Sequence, residues 1–529
     1  MSISKAFLFW LSCSMTMPAM AQVRAPRTSS ASRPEVIYHV FERSFYDSNG
    51  DRIGDLNGLK EKLGYLQHLG VTSIQMVPIY QSDFYHNYFG KDFEKVDPAF
   101  GTMTDYIALV KAVHSRGMKI YMDMETQYIT GDNPWYQKAI SNPNSPYRDY
   151  ILWADSARNK PEGIIYNLTR IRSYDGSSQP VATVNLLNPK VLQFNINLFR
   201  FWEDPNHDGK FDDGVDGFRL DHMMDDLDNK GKLTGLFKRF WTPLILSVKK
   251  LNPKVIFIAE QANWGDFGQD YFQEGHVDRV FDFRLRFAIA SFNKKQIGLM
   301  ADSTLGMTPP GHQQIVFIEN HDLPRFASVV GLSKPKEEIG GALGLLLGGV
   351  PSIYYGQELG MYGGFERYGN TDGNDIPKRE AFEWYRSDTG RGMALWYKNT
   401  GPWWDSTHLV PNDGISLQEE EPDPSSLWNF YHTLIRIRWS QPALYKGRYF
   451  TLPNDQDSVF SFLRVTGDQE DIVMVNLSSS SRKVRADCSG LGVKPRSMHL
   501  LFGRQHPELQ GAQFMVTLPA YAINLWKVN

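Results

Sequence analysis

The sequence predicts an α/β chain: a (β/α)8 barrel with an inserted subdomain after strand three and a C-terminal all-β sandwich domain. Three observations predict it. Eight short apolar runs recur between residues 36 and 355, with amphipathic segments between them. Most of the runs lack a clean in–out alternation, which marks strands buried on both faces. Past about residue 444 the texture changes to short alternating runs broken by turn residues, the pattern of an antiparallel β domain.

The eight runs fall at 36–41, 73–79, 119–124, 215–221, 255–260, 279–284, 314–320 and 350–355. Helical periodicity occupies the spaces between them, for example at 59–69, 106–116, 233–250 and 337–347, and 425–439 reads as the closing helix. Strands and helices in strict alternation argue for a closed barrel. A doubly wound open sheet is the alternative, but no glycine fingerprint for a dinucleotide follows any run. About ninety residues separate the third and fourth runs, roughly three times an ordinary βα unit. A second insertion covers 360–424. Both insertions leave C-terminal ends of strands, the face on which such barrels build their sites.

The expected organisation is a secretory signal at 1–21, a polar linker at 22–33, a barrel at 34–126 and 184–440, the subdomain at 127–183 and the β domain at 441–529. Lys5, the apolar run 6–11 and the small-residue site Ala19-Met20-Ala21 carry the export reading, periplasmic or secreted. That apolar run is too short for a stable membrane anchor. Loss of Cys13 with the signal leaves Cys488 alone, so no internal disulfide is expected. A net charge of -3 gives no pull toward nucleic acid or anionic lipid. The 13 Trp and 25 Tyr suit both a large aromatic core and a ligand made of stacked rings. A monomer is expected.

Three acidic residues stand at or near strand ends: Asp221 closing 215–221, Glu260 closing 255–260, and Asp322 just past 314–320. A carboxylate at the end of an apolar strand is costly if buried and unpaired. In a barrel all three converge on one mouth. Glycoside hydrolysis uses such a cluster, with one carboxylate as nucleophile and one carboxylic acid as proton donor. Arg219, two residues before Asp221, points to the same side of its strand and would keep Asp221 ionised. Glu260, beside two negative charges, is expected to hold the proton.

These segments resemble the α-amylase family of glycoside hydrolases, in its oligoglucosidase- and neopullulanase-like branch, along nearly the whole chain after residue 33. Val215-Asp216-Gly217-Phe218-Arg219-Leu220-Asp221 resembles the family's nucleophile strand, Ile258-Ala259-Glu260 its acid/base strand, and Phe317-Ile318-Glu319-Asn320-His321-Asp322 its third carboxylate segment. The resemblance implies Asp221 as nucleophile, Glu260 as general acid/base and Asp322 as transition-state stabiliser. It also implies sugar contacts from Tyr88, His86, Asp123, Arg219 and His321. The expected activity is retaining cleavage of α-glucosidic bonds in starch-like glucans or maltooligosaccharides. The alternatives are a transglycosylase, an α-1,6-glucosidase or a disaccharide-active enzyme, and, outside catalysis, a glucan-binding protein. One segment departs from the family pattern. Asp123 is kept, but Gln127 and Tyr128 stand where members commonly carry Asn and His. The resemblance therefore stops short of assigning a calcium or a hydroxyl contact at those two positions.

The loop Asp47-Ser48-Asn49-Gly50-Asp51-Arg52-Ile53-Gly54-Asp55 places oxygen donors at every second position. Side chains of Asp47, Asn49, Asp51 and Asp55 with the Ile53 carbonyl suit a hard cation. The loop resembles the calcium loop after strand one in oligoglucosidase-like members, with Arg52 where glycine is usual. A structural Ca2+ is expected there, and a self-capping polar turn is the alternative. Asp204-Pro205-Asn206-His207-Asp208-Gly209-Lys210-Phe211-Asp212 has similar spacing but lacks the bidentate Glu of an EF-hand.

Overall fold

The computed structural model describes residues 34–529 apart from Asp468. The signal and linker readings, and Cys13, lie outside the described residues. Eight parallel strands close a barrel: β1 (Ile37–Val40), β2 (Ser73–Met76), β3 (Lys119–Met124), β4 (Gly217–Met223), β5 (Ile256–Gln261), β6 (Arg279–Phe281), β7 (Gln313–Val316) and β8 (Val350–Tyr354). Each strand pairs with its neighbours in sequence order, and β1 pairs with both β2 and β8. The sequence locates all eight, because their residues face the barrel interior on one side and the helices on the other and so are almost all buried, but the runs at 279–284 and 314–320 extend past the paired strands.

The helices form where end signals meet apolar periodicity. Met103–His114 opens on a capping box made by Thr102 and Asp105. Pro189–Glu203 opens with Asn188 as cap and proline at its first position. The run expected at 59–69 divides into Leu56–Glu61 and Leu63–Leu69 at Lys62, and Asp55 caps the first piece. The closing helix is Leu427–Ser440.

The segment at 127–183 joins a sheet that is not wholly its own. Its strands Tyr128–Thr130, Arg170–Arg172 and Ser178–Thr183 pair in line with Tyr80–Ser82 and Gly90–Val96, which come from the β2–β3 connection. The loop carrying His86 and Tyr88 thereby becomes one wall of the barrel mouth. At the C-terminus a five-stranded antiparallel sheet (Arg448–Thr451, Val459–Val465, Glu470–Asn476, Ile523–Val528, Met498–Phe502) accompanies a three-stranded one (Arg482–Asp487, Gln513–Leu518, Glu508–Gln510). Buried Arg464 fastens this domain to the barrel by donating to the Leu347 carbonyl at 2.7 Å. Cys488 is buried and unpaired. Among the described residues no helix is long and apolar enough to cross a membrane.

Candidate active site

The barrel ladder builds the site. Asp123 on β3 and Arg219 on β4 are register partners, so both side chains enter the barrel together. The Arg219 Nη1 stands 2.5 Å from Asp123 Oδ2 and 2.5 Å from Asp221 Oδ1, and Nη2 stands 2.9 Å from Glu260 Oε2. One guanidinium thus grips three carboxylates from three adjacent strands. The register between β4 and β5 runs evenly to Leu220 and Ala259, then resumes at Met223 and Gln261. Asp221 and His222 together face the single residue Glu260. This is a β-bulge, and such bulges re-aim side chains beside active sites. His222 has the left-handed φ of 42°, and its backbone N–H donates to Glu260 Oε2 at 2.9 Å. The bulge therefore aims Asp221 and orients Glu260 in one step.

Asp322 arrives differently. The sequence places it beside a strand end, but β7 stops at Val316 and residues 317–322 form the loop beyond it. His321 is buried, and its Nε2 lies 2.9 Å from Tyr88 OH and 3.1 Å from Asp322 Oδ2. The Tyr88 hydroxyl spends its proton on Asp123 Oδ2 at 2.8 Å, so His321 Nε2 must carry the hydrogen it shares with Tyr88. His39 on β1 meets the other nitrogen at 3.2 Å. Burial keeps both imidazoles neutral, holding His39 down at about 3 and His321 well below the usual range. Arg379, from the second insertion, stands 3.4 Å from Asp322 Oδ1 and donates to the His321 carbonyl. Lys378 Nζ donates to the Asp322 carbonyl at 2.8 Å.

The site residues expected from the sequence fall into two groups. Asp221, Glu260, Asp322, Tyr88, His86, Asp123, Arg219 and His321 are brought together at the barrel mouth. His86, Tyr88, Asp221, Glu260, His321 and Asp322 line a cleft of about 830 Å³, while Asp123 and Arg219 are buried beneath them. His86 stacks on Phe84 with rings 1° from parallel and lies 3.8 Å from Asp372. Asp47, Asn49, Asp51, Ile53 and Asp55 form a separate loop after β1. There Asp47 accepts N–H groups of Asn49, Gly50 and Arg52, while Asp55 accepts from Ser48 and Gly58. Among the described residues no three acidic, His or Cys side chains converge as a ready metal cluster.

The two departures from the family pattern have definite partners. Gln127 accepts the Thr126 N–H at 2.7 Å and donates to the Asp221 carbonyl at 2.5 Å. Its amide is spent on the nucleophile strand. Tyr128 donates to Asp228 Oδ1 at 2.5 Å, and His222 Nε2 meets the same oxygen at 3.0 Å. Sequence reasoning missed His39, His222, Asp228, Lys378 and Arg379. The doublet Lys378-Arg379 lies in an insertion with no strand pattern to aim it, and the His222 bulge leaves no periodic trace.

The charge balance corrects one expectation. Burial pushes the Asp221 carboxyl well above the carboxylate range, with Arg219 opposing. Burial would raise Glu260 too, but Arg219 and the His222 N–H outweigh it and hold Glu260 low. These directions are the reverse of those expected from the sequence, in which Glu260 is raised and Asp221 lowered. Both carboxyls take an N–H from Arg219, and Glu260 has one further donor that Asp221 lacks, the His222 N–H. Burial also raises Asp123 to about 7 and Asp322 to about 6.

A deep cleft at the C-terminal mouth of a barrel, with two carboxylates gripped by one arginine, is the arrangement a glycoside hydrolase uses. The profile of the α-amylase catalytic domain matches residues 39–447, and the chain belongs to the α-amylase family. It is 30% identical to α-amylase 3 of Dictyoglomus thermophilum over 84% of each chain. It is 28% identical to a trehalose synthase/amylase of Mycobacterium tuberculosis, over 92% of this chain and 88% of that one. The α-amylase of H. orenii superposes with a TM-score of 0.77 at 27% identity, covering 94% of this chain and all of that one.

Proposed function

We propose that the enzyme cleaves α-glucosidic bonds in starch-like glucans or maltooligosaccharides with retention of configuration, and that it does so outside the cytoplasm. The observation that carries this reading is the single guanidinium of Arg219 holding both Asp221 and Glu260. Two carboxyls gripped by one guanidinium favour the short separation of retaining enzymes over the about 6.5–9.5 Å at which an inverting enzyme holds its water. Asp221 attacks the anomeric carbon. Glu260 protonates the leaving oxygen, and the covalent glycosyl-enzyme forms. Glu260 then takes a proton from water, which releases the sugar and frees Asp221. Asp322 stands where positive charge develops on the sugar ring. The cleft volume, near the top of the range of about 300–1,000 Å³ for ligand pockets, suits an oligosaccharide better than a single ring. Tyr166, 82% exposed on the subdomain side of the cleft, offers a stacking face. Freshly released sugar is expected to be the α-anomer when hydrolysis of a maltooligosaccharide is followed by proton NMR. Initial β-anomer would remove the double-displacement mechanism.

We also propose calcium at the loop after β1. Its donors are all oxygen: three carboxylates, one amide and the Ile53 carbonyl, the set a hard cation takes. Asp47 and Asp55 are buried at the foot of the loop. A cation bound only by the folded chain stabilises it by mass action. Because none of these ligands reacts with substrate, chelation is expected to lower Tm by several degrees while changing kcat little at moderate temperature. Identical melting curves with and without chelator, in protein that carries no calcium, would remove this site.

A further inference from the structure

His222 is left-handed within β4, with φ 42°. That backbone is costly for a residue with a side chain, and it persists only where the surroundings over-determine it. Three parts of His222 are held here. Its N–H donates to Glu260 Oε2 at 2.9 Å. The Gln127 amide donates to the Asp221 carbonyl at 2.5 Å and lies 3.4 Å from the His222 carbonyl. Its ring Nε2 stands 3.0 Å from Asp228 Oδ1.

Asp228 is the joint of this arrangement. Its side chain is 2% exposed. The Tyr128 hydroxyl donates to the same Oδ1 at 2.5 Å, and Lys230 Nζ lies 3.2 Å from Oδ2. Burial alone would raise the Asp228 carboxyl, but the hydrogen bonds from His222 and Tyr128 outweigh it and hold it below the usual range. An ionised carboxylate only accepts, so His222 Nε2 must carry a hydrogen, and the ring cannot turn over without losing that bond. Lys230 also donates to the Gly163 and Ile164 carbonyls at 2.6 and 2.9 Å, which fastens this corner to the subdomain. Tyr128 and His222 line the cleft, and Asp228 stands behind them.

The oxygen that these contacts control belongs to Glu260. Arg219 Nη2 and the His222 N–H both meet Oε2. We propose that Asp228 is a positioning residue for the acid/base. By gripping the His222 ring it keeps the bulge set, the bulge keeps the N–H on Oε2, and Oε1 is left to carry the proton to the leaving oxygen. Tyr128 and Gln127 brace the same bulge from the subdomain side. The inference rests on the reading of Glu260 as proton donor.

Asp228→Asn tests it, with Glu260→Gln run beside it. An amide at 228 cannot serve both sides. With its oxygen toward Tyr128 and His222 its NH2 faces the Lys230 ammonium, and turned round its NH2 faces two donors. The variant should lose about 10–100-fold in kcat on a maltooligosaccharide, the scale of a displaced catalytic group, with KM changed by about threefold at most. Its glycosylation rate on α-glucosyl fluoride, read as pre-steady-state fluoride release, should stay within about threefold of the wild type, because fluoride departs with little proton assistance. Tyr128→Phe removes one hydroxyl and leaves the Asp228–His222 bond, so it should show the same split at smaller size, and it decides the matter if Asp228→Asn does not fold. Wild-type kcat on the glucan in Asp228→Asn overturns the positioning role. So does a loss of equal size on glucan and fluoride, which is the behaviour of a carboxylate that only supports the fold. With Asp228→Asn unfolded, a Tyr128→Phe enzyme without the split overturns it as well. Glu260→Gln reports separately on the reading beneath: if it shows no split, Glu260 is not the proton donor and the role of Asp228 falls with it.

Discussion

Asp221→Asn is expected to reduce turnover by about 10⁴-fold or more while leaving the fold and substrate binding nearly intact. An amide fills the same volume but does not attack an anomeric carbon, and loss of a nucleophile removes most of an enzyme's rate advantage. The stability side follows from the same geometry. Burial holds the Asp221 carboxyl well above its usual range. A carboxyl raised in this way gains less from its charge than an ordinary carboxylate, so a neutral amide in its place costs the cluster little. Arg219 keeps Asp123 and Glu260 as partners. The variant should therefore melt within a few degrees of the wild type near neutral pH and still bind a maltooligosaccharide in calorimetry. Retention of more than a few per cent of activity in the purified variant would show that another group makes the covalent bond. A collapsed melting temperature would show instead that the Arg219 cluster depends on Asp221 for its assembly.

The strands were legible because the physics that places them is local: four to seven apolar residues between turn signals cannot be buried on both faces any other way. Asp221 and Glu260 were legible for the same reason, as costly residues at the ends of apolar runs. Asp322 was found in the right place for an incomplete reason. The run 314–320 has an apolar centre from Ile315 to Ile318, but only its first part pairs with neighbours, and Asp322 is held by His321 and Arg379 rather than by a strand. The bulge at His222 was invisible, since one extra residue in a buried strand leaves the apolar pattern unchanged. The direction in which each of the two carboxyls shifts was invisible too. It depends on which carboxyl collects the extra donors, and the His222 N–H reaches Glu260 only because of that bulge. The subdomain sheet borrows Tyr80–Ser82 and Gly90–Val96 from another connection, a pairing that no local pattern signals.

Glu260→Gln should cut hydrolysis of unactivated glucans by about 10²–10⁴-fold, the usual worth of a general acid, and should abolish the alkaline limb of the pH profile. In the free enzyme Asp221 and Glu260 hold one proton between them, and the singly protonated pair is the competent form. Below the lower ionisation both are protonated and no nucleophile remains. Above the upper one neither is protonated and no acid remains. The profile of kcat/KM is thus a bell, and Asp322, with its carboxyl at about 6, adds to the acid limb. When a glycosidic oxygen arrives it accepts from Glu260, and attack on the sugar needs Asp221 ionised, so in the competent complex the proton sits on Glu260. Glutamine does not titrate, so the upper limb goes. Asp221, freed of a neighbouring negative charge, ionises more readily, and the acid limb shifts to lower pH. An α-glucosyl fluoride departs with little protonation, so its glycosylation step should be nearly spared. Glutamine cannot serve as base toward water, so the intermediate should accumulate and fluoride should appear in a burst. Equal loss of the glycosylation rate on the fluoride and on the glucan would show that Glu260 is not the proton donor. The donor would then have to be sought among the other acids lining the cleft, Asp322, Asp372 and Asp375.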